Sequence, residues 1–193
     1  MSYTLGLYEK AMPESFSLKE KLLCAKKYGF DFVELSIDES DKKIARLNWS
    51  DEEILAFKKD EIESGIFFKS ICLSAQRKFP FGSTDEAVRT KGMQILKKAV
   101  IFAYKTGIRI IQLAGYDVYY EKNSEITLNL FKKGLKEAVE FASLYGVMLA
   151  FETMETPFMN TVEKALKYVN LINSPYLKIY PDIGNLTNSG CDL

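Results

Sequence analysis

Four glycines constrain this chain more than any other feature. Gly29-Phe-Asp-Phe-Val-Glu-Leu, Gly65-Ile-Phe-Phe-Lys-Ser-Ile, Gly107-Ile-Arg-Ile-Ile-Gln-Leu and Gly146-Val-Met-Leu-Ala-Phe-Glu share one layout. Each puts a glycine after a helical stretch and a β-branched or aromatic run behind it. Glycine suits the left-handed position just past a helix end, and the run reads as a strand buried on both faces. The four glycines lie 36, 42 and 39 residues apart. That is the length of one strand, one helix and their loops, so the repeat is a βα unit.

The helices between the strands carry their own start signals. Ser17-Leu-Lys-Glu20, Ser50-Asp-Glu-Glu53 and Ser83-Thr-Asp-Glu86 have the capping-box form. After Ser83, Val88, Gly92, Ile95, Ala99, Phe102 and Ala103 fall on one helical face, and after Asn123, Leu128, Phe131, Leu135, Ala138, Ala142 and Tyr145 do the same. Such stripes are core packing. The pattern predicts strands near 4–9, 30–36, 66–73, 108–114, 147–153 and 177–182, and helices near 17–28, 50–64, 84–106, 124–145 and 161–172.

Alternating apolar strands and helices argue a parallel sheet, either open and doubly wound or closed as a barrel. No strand is followed by a Gly-x-Gly-x-x-Gly or phosphate-loop motif, which weakens the nucleotide-binding open sheet. Polar residues recur at strand ends instead: Glu9, Glu34, Ser74 with Gln76, Gln112, Glu152 and Asp182. A ring of that kind is what the mouth of a barrel requires. The expected fold is therefore an α/β (β/α)8 TIM barrel, as a single domain over 1–193. Only about six of its eight βα units are present, and two more would need roughly 80–100 residues beyond the C-terminus.

Composition removes several functional classes. The chain has no histidine, which excludes Ser-His and Cys-His catalysis within it. Lys plus Arg equals Asp plus Glu at 26 each, so no net field draws it to nucleic acid or an anionic membrane. Cys24, Cys72 and Cys191 match neither a disulfide framework nor a zinc spacing. No run approaches the roughly 18 apolar residues of a membrane span, and the N-terminus lacks a signal-peptide pattern. A reducing cytoplasm is the expected location.

Glu152 and Asp182 each end a short apolar run, in Gly146-Val-Met-Leu-Ala-Phe-Glu152 and Tyr180-Pro-Asp-Ile-Gly-Asn-Leu186. Carboxylates at two adjacent strand ends are half of a hard-metal site. Each can equally cap a following helix or pair with a basic neighbour. Asn185 can orient a sugar or serve an ordinary turn. Glu9 and Glu34 can bind sugar hydroxyls or pair with a lysine, and Glu155 lies one loop beyond Glu152. In Gln76-Arg-Lys-Phe-Pro-Phe-Gly-Ser83, Arg77 and Lys78 at a helix start suit a phosphate. The alternative is a solvated loop with two charges. Tyr116-Asp-Val-Tyr-Tyr120 reads as a lid or a subunit contact.

Cys72-Leu-Ser-Ala-Gln-Arg-Lys-Phe-Pro-Phe-Gly-Ser83, Ile111-Gln-Leu-Ala-Gly-Tyr-Asp-Val-Tyr-Tyr120 and Tyr180-Pro-Asp-Ile-Gly-Asn-Leu186 strongly resemble the bacterial L-xylulose-5-phosphate (L-ribulose-5-phosphate) 3-epimerase family of the L-ascorbate pathway. Leu5-Gly-Leu-Tyr-Glu-Lys-Ala11 and Gly29-Phe-Asp-Phe-Val-Glu34 resemble it too, and the similarity runs in register along the whole chain. The resemblance implies a xylose-isomerase-like barrel that binds one divalent metal (Mn, Zn or Mg) through two glutamates, an aspartate and a histidine. Glu152 and Asp182 match the first two ligands in chain order, and the other two would lie beyond Leu193.

By the same resemblance Glu152 is one of a pair of acid–base carboxylates. Glu9, Gln76, Arg77, Lys78, Glu155 and Asn185 then become substrate contacts for a small ketose phosphate. Gln76 departs from the family, which usually carries histidine there. The implied reaction is C3 epimerisation through an enediolate in a cytoplasmic homodimer, with this chain an inactive fragment. Competing readings are a hexulose-6-phosphate or free-ketose isomerase or epimerase of the same barrel group, and a non-catalytic sugar-phosphate-binding protein.

Overall fold

A computed structural model gives the architecture and describes residues 3–191. Along the chain run β1 (Gly6–Tyr8), α1 (Leu18–Lys27), β2 (Phe32–Ser36), α2 (Asp41–Ala45), α3 (Asp51–Ser64), β3 (Phe67–Leu73), α4 (Glu86–Thr106), β4 (Ile110–Ala114), α5 (Glu125–Leu144), β5 (Met148–Glu152), α6 (Val162–Ile172), β6 (Leu177–Tyr180) and α7 (Ile183–Asn188). The six strands pair in parallel in sequence order, β1 to β6. Each expected strand and long helix is present, with each strand shorter than expected by one to three residues in all. α2 and α7 were not anticipated. No helix among the described residues is long and apolar enough to cross a membrane.

The repeat works as its sequence implies. Gly29, Gly65, Gly107 and Gly146 have φ of +80°, +73°, +89° and +64°, the left-handed turn that lets each helix stop and the next strand begin. Ser17 with Glu20 and Ser50 with Glu53 form complete capping boxes. The third expected box is corrected. Asp85, not Ser83, caps α4, accepting from the Ala87 amide at 2.8 Å. A carboxylate nearer the helix start takes the position, and the Ser83 hydroxyl accepts from the Asp85 amide.

Alternation divides the sheet into two faces. Val33, Leu35, Ile71, Leu73, Ile111, Leu113, Leu149 and Phe151 are all buried in the core shared with the helices. The opposite parity places Glu34, Ser36, Ser70, Cys72, Gln112, Glu152 and Tyr180 on the inner face. Pairing with β2 skips Lys69, a bulge in β3 that lets both Phe68 and Ile71 pack outward while Ser70 turns in. Across the interior the Tyr180 hydroxyl on β6 donates to Glu34 Oε2 on β2 at 3.1 Å, and Ser70 Oγ donates to the same oxygen at 2.6 Å. In a flat sheet those two strands would stand roughly 19 Å apart, four ladder spacings. The sheet is therefore curled.

At the amino ends of the strands, buried Glu61 ties α3 to β3 by accepting from the Phe68 amide at 2.8 Å. Burial pushes its carboxyl up to about 7, against the pull of that amide and of Lys58. The folded chain thus holds the proton while the unfolded chain releases it from about 4.5 upward, and stability falls as pH rises through that window. Glu61→Gln keeps the acceptor and removes the titration. It is expected to match wild type in urea unfolding at pH 4 and to be more stable at pH 8, by on the order of 2 kcal/mol.

Candidate active site at the carboxyl ends of the strands

Glu152 ends β5, and its Cα pairs with Ala114 of β4 and Tyr180 of β6. Asp182 follows β6 by two residues, so both carboxylates sit at the same end of neighbouring strands. Thr153, fully buried, locks them together. Its amide donates to the Tyr180 carbonyl at 3.3 Å, and its hydroxyl accepts from the Asp182 amide at 2.9 Å. Gly115 allows the close approach on the other side: a Cβ there would meet the Glu152 carbonyl oxygen at 2.4 Å.

Burial and then the charge of Asp182 raise the Glu152 carboxyl to about 7, with Glu34 adding to the rise and Arg77 and Gln112 opposing it. A half-buried carboxylate poised near neutrality can give and take protons at working pH. Asp182 spends Oδ1 on capping α7, accepting from the Asn185 amide at 2.7 Å. The capping role is therefore real, and it leaves the second oxygen without a protein partner among the described residues.

Arg77 and Gln76 lie in the short 3-10 turn Ser74–Arg77 after β3. Arg77 is half-buried, its guanidinium 5.6 Å over the Tyr119 ring, and it lines a rim cavity of about 310 Å³ with Ser74, Tyr120, Glu39 and the Lys10–Asp38 ion pair. Gln76 is buried and its side-chain nitrogen lacks a partner. Lys78 is exposed and lies over Phe79. Glu155, also exposed, is held by the Tyr116 hydroxyl at 2.8 and 2.9 Å.

One sequence expectation is corrected here. Glu9 has no exposed surface to offer a sugar, and its alternative, pairing with lysine, is what the fold adopts. Its carboxylate accepts from Arg46 at 2.7 and 2.9 Å, from Lys21 at 3.3 Å, from Lys43, and from the Ser36 amide at 2.8 Å. Every oxygen is taken. Asn185 donates its side-chain nitrogen to the Thr153 carbonyl at 2.9 Å, bracing α7 against the end of β5.

The tyrosine loop is also no free lid over its first half. Tyr116, Asp117 and Val118 are buried, with Asp117 bonded to Thr127 and Asn123. Only Tyr119 and Tyr120 reach solvent. Thr153, Gln112 and Tyr180 are the site's neighbours that sequence reasoning gave no role. Their one signal was position at a strand end.

Among the described residues no three His, Cys, Asp or Glu side chains group closely enough to hold a metal ion. Glu152 and the free oxygen of Asp182 nonetheless fit a hard divalent cation in kind, since both are carboxylate oxygens. Unpartnered buried polar atoms at Gln76 and Gln112 add to the sense of an unfinished site.

Six parallel βα units curled round a polar interior, with ionisable groups gathered where the strands end, define an α/β barrel whose chemistry is built at that rim. The chain belongs to the xylose isomerase-like TIM barrel family, which it matches over residues 23–192. It is 52% identical over 183 residues to an L-ribulose-5-phosphate 3-epimerase of Escherichia coli, covering 95% of this chain and 64% of that one. An L-ribulose-5-phosphate 3-epimerase of Shigella sonnei is 51% identical with the same coverage. The chain thus spans 64% of the length of the curated relatives it matches.

Among solved structures, D-psicose 3-epimerase from Clostridium cellulolyticum superposes with a TM-score of 0.81 at 18% identity, over 99% of this chain and 67% of that one. An L-ribulose 3-epimerase gives 0.75 at 20% identity, over 97% and 63%. At those identities the likeness is one of fold.

Proposed function

We propose that this chain forms most of a ketose-phosphate 3-epimerase acting between L-xylulose 5-phosphate and L-ribulose 5-phosphate. The observation that carries the reading is Glu152 beside Asp182 at one rim, with its carboxyl raised to about 7. The high identity to relatives named as L-ribulose-5-phosphate 3-epimerases supports the choice of substrate.

The proton on C3 of a 2-ketose is acidified by the adjacent carbonyl. Glu152 takes it, leaving an enediolate, and a carboxylate on the opposite face returns one. A divalent metal ion held by Glu152 and Asp182 supplies Lewis-acid polarisation of the ketose when bound. Arg77, over the Tyr119 ring at the rim cavity, binds the phosphate. Gln76 lies beside Arg77 and reaches the sugar, and Lys78 and Glu155 border the entrance. The reading includes a cytoplasmic homodimer working in carbohydrate breakdown, with L-ascorbate as the feeding sugar acid. The 193-residue chain by itself does not turn over, because it offers one face of the acid–base pair.

A fusion tests this. Joining the chain to the segment of the Escherichia coli relative beyond the matched region, with added Mn²⁺, is expected to convert L-xylulose 5-phosphate to L-ribulose 5-phosphate. The chain alone is expected to leave it unchanged. A folded fusion that binds the sugar phosphate without turnover would favour a binding protein. Turnover of unphosphorylated L-ribulose at an equal rate would favour a free-ketose enzyme.

A further inference from the structure

Buried polar side-chain atoms are paired almost everywhere in this molecule, and the exceptions are grouped. Among the described residues they are Gln76 Nε2, Arg77 Nε, Gln112 Oε1 and Thr156 Oγ1. All four belong to β4 or to the segments that follow β3 and β5. Buried polar atoms without partners are rare in folded proteins. Such an atom beside a candidate catalytic carboxylate marks a place where a ligand can complete the bonding.

Of the four, Gln112 alone sits in a strand, which fixes its backbone. It is 4% exposed. Its Cα pairs with Cys72 on one side and Ala150 on the other, one step of the inner face below Ala114 and Glu152. Ala150 has no side-chain donor. The Cys72 thiol is a weak donor and its sulfur accepts from the Tyr8 hydroxyl at 3.5 Å. Neither ladder neighbour donates to Gln112 Oε1, which has no partner. The Glu152 carboxylate stands one inner-face step along the neighbouring strand, beyond Ala150. The amide oxygen of Gln112 can only accept.

We propose that Gln112 is a specificity-determining residue of the sugar site, its side-chain oxygen accepting a hydrogen bond from a ketose hydroxyl beside the Glu152 carboxylate. The assignment rests on the sugar-phosphate reading above and deepens it by naming the residue that senses the hydroxyl. A pocket that holds a hydroxyl with a buried acceptor rejects a molecule lacking it, because the acceptor is then left unpaired.

The test reads binding by the 193-residue chain, without metal and without turnover. L-ribulose 5-phosphate is titrated calorimetrically into wild type and Gln112→Met, and both unliganded proteins are unfolded by heat. Methionine preserves volume and removes the unpaired oxygen. The variant is expected to unfold at the same temperature or higher, yet to bind at least about tenfold more weakly. Equal affinity in the two proteins would overturn the role of Gln112 and leave the sugar-phosphate reading standing. A lower unfolding temperature for the variant would show that the amide serves the fold, and would overturn it as well. Absence of binding by wild type, both in this chain and in the fusion with the Escherichia coli segment and Mn²⁺, would sink the sugar-phosphate reading itself, and this assignment with it.

Discussion

Replacing Glu9 with alanine is expected to destabilise the chain by about 3–5 kcal/mol, because it strands three buried cations. Lys21, Lys43 and Arg46 have side-chain exposures of 4%, 8% and 13%, and each bonds to the same carboxylate. For a chain of this length such a loss lowers the unfolding temperature by about 10 °C or more. Burial pushes the Glu9 carboxyl up, but hydrogen bonds and charge from Arg46, with Lys43 and the Ser36 amide, outweigh it and hold the group at about 2. A depressed carboxyl stabilises the fold fully above its ordinary 4.5 and loses that contribution as pH falls through 2. Acid titration of stability is expected to show the window in wild type and to lose it in the variant. Lys43→Met is expected to cost little, because the cluster holds three cations to one carboxylate and removing a cation relieves the imbalance. A variant at Glu9 that unfolded like wild type would mean the cluster contributes nothing net.

Glu152→Gln, made in the fusion with the Escherichia coli segment, is expected to lower kcat about 10³-fold or more. On the proposed reading the change removes the base for the C3 proton and one of two carboxylates that would hold a metal ion. Two readouts separate these losses. Mn²⁺ affinity, followed by calorimetry, reports the ligand role, and exchange of the C3 proton with deuterated solvent reports the base. Glu155→Gln serves as the comparison: Glu155 is exposed and held by Tyr116, so its loss is expected to cost far less. Retention of C3 exchange in Glu152→Gln would move the base elsewhere on the rim.

Much of this was readable before the coordinates, and the reason differs by feature. The glycine turns and the alternation of the strands are local, so Gly29, Gly65, Gly107 and Gly146 and the pairing of Glu152 with Asp182 at one rim followed from spacing. Glu9 was misread because its partners are 12, 34 and 37 residues away, on α1, α2 and the turn after it. A lone glutamate at a strand end carries no sign of such company. Ser83 lost its capping role to Asp85 because two good capping residues stood within three positions, and packing chose between them. The brace from Asn185 was not legible because the carbonyl it holds, on Thr153, is 32 residues earlier. α2 and α7 are five and six residues long, too short for a periodic signal.

The reach of Tyr180 across the interior has one more effect. β2 to β5 are each flanked by strands on both sides, but β6 has one ladder neighbour among the described residues. The phenol bonded to Glu34 gauges how far β6 stands from the opposite wall. Asp182 lies two residues along the same backbone, so the ring that spans the interior also braces, from the far wall, the strand that carries it. A shorter side chain at 180 would leave that strand end tied to β5 only, through Thr153.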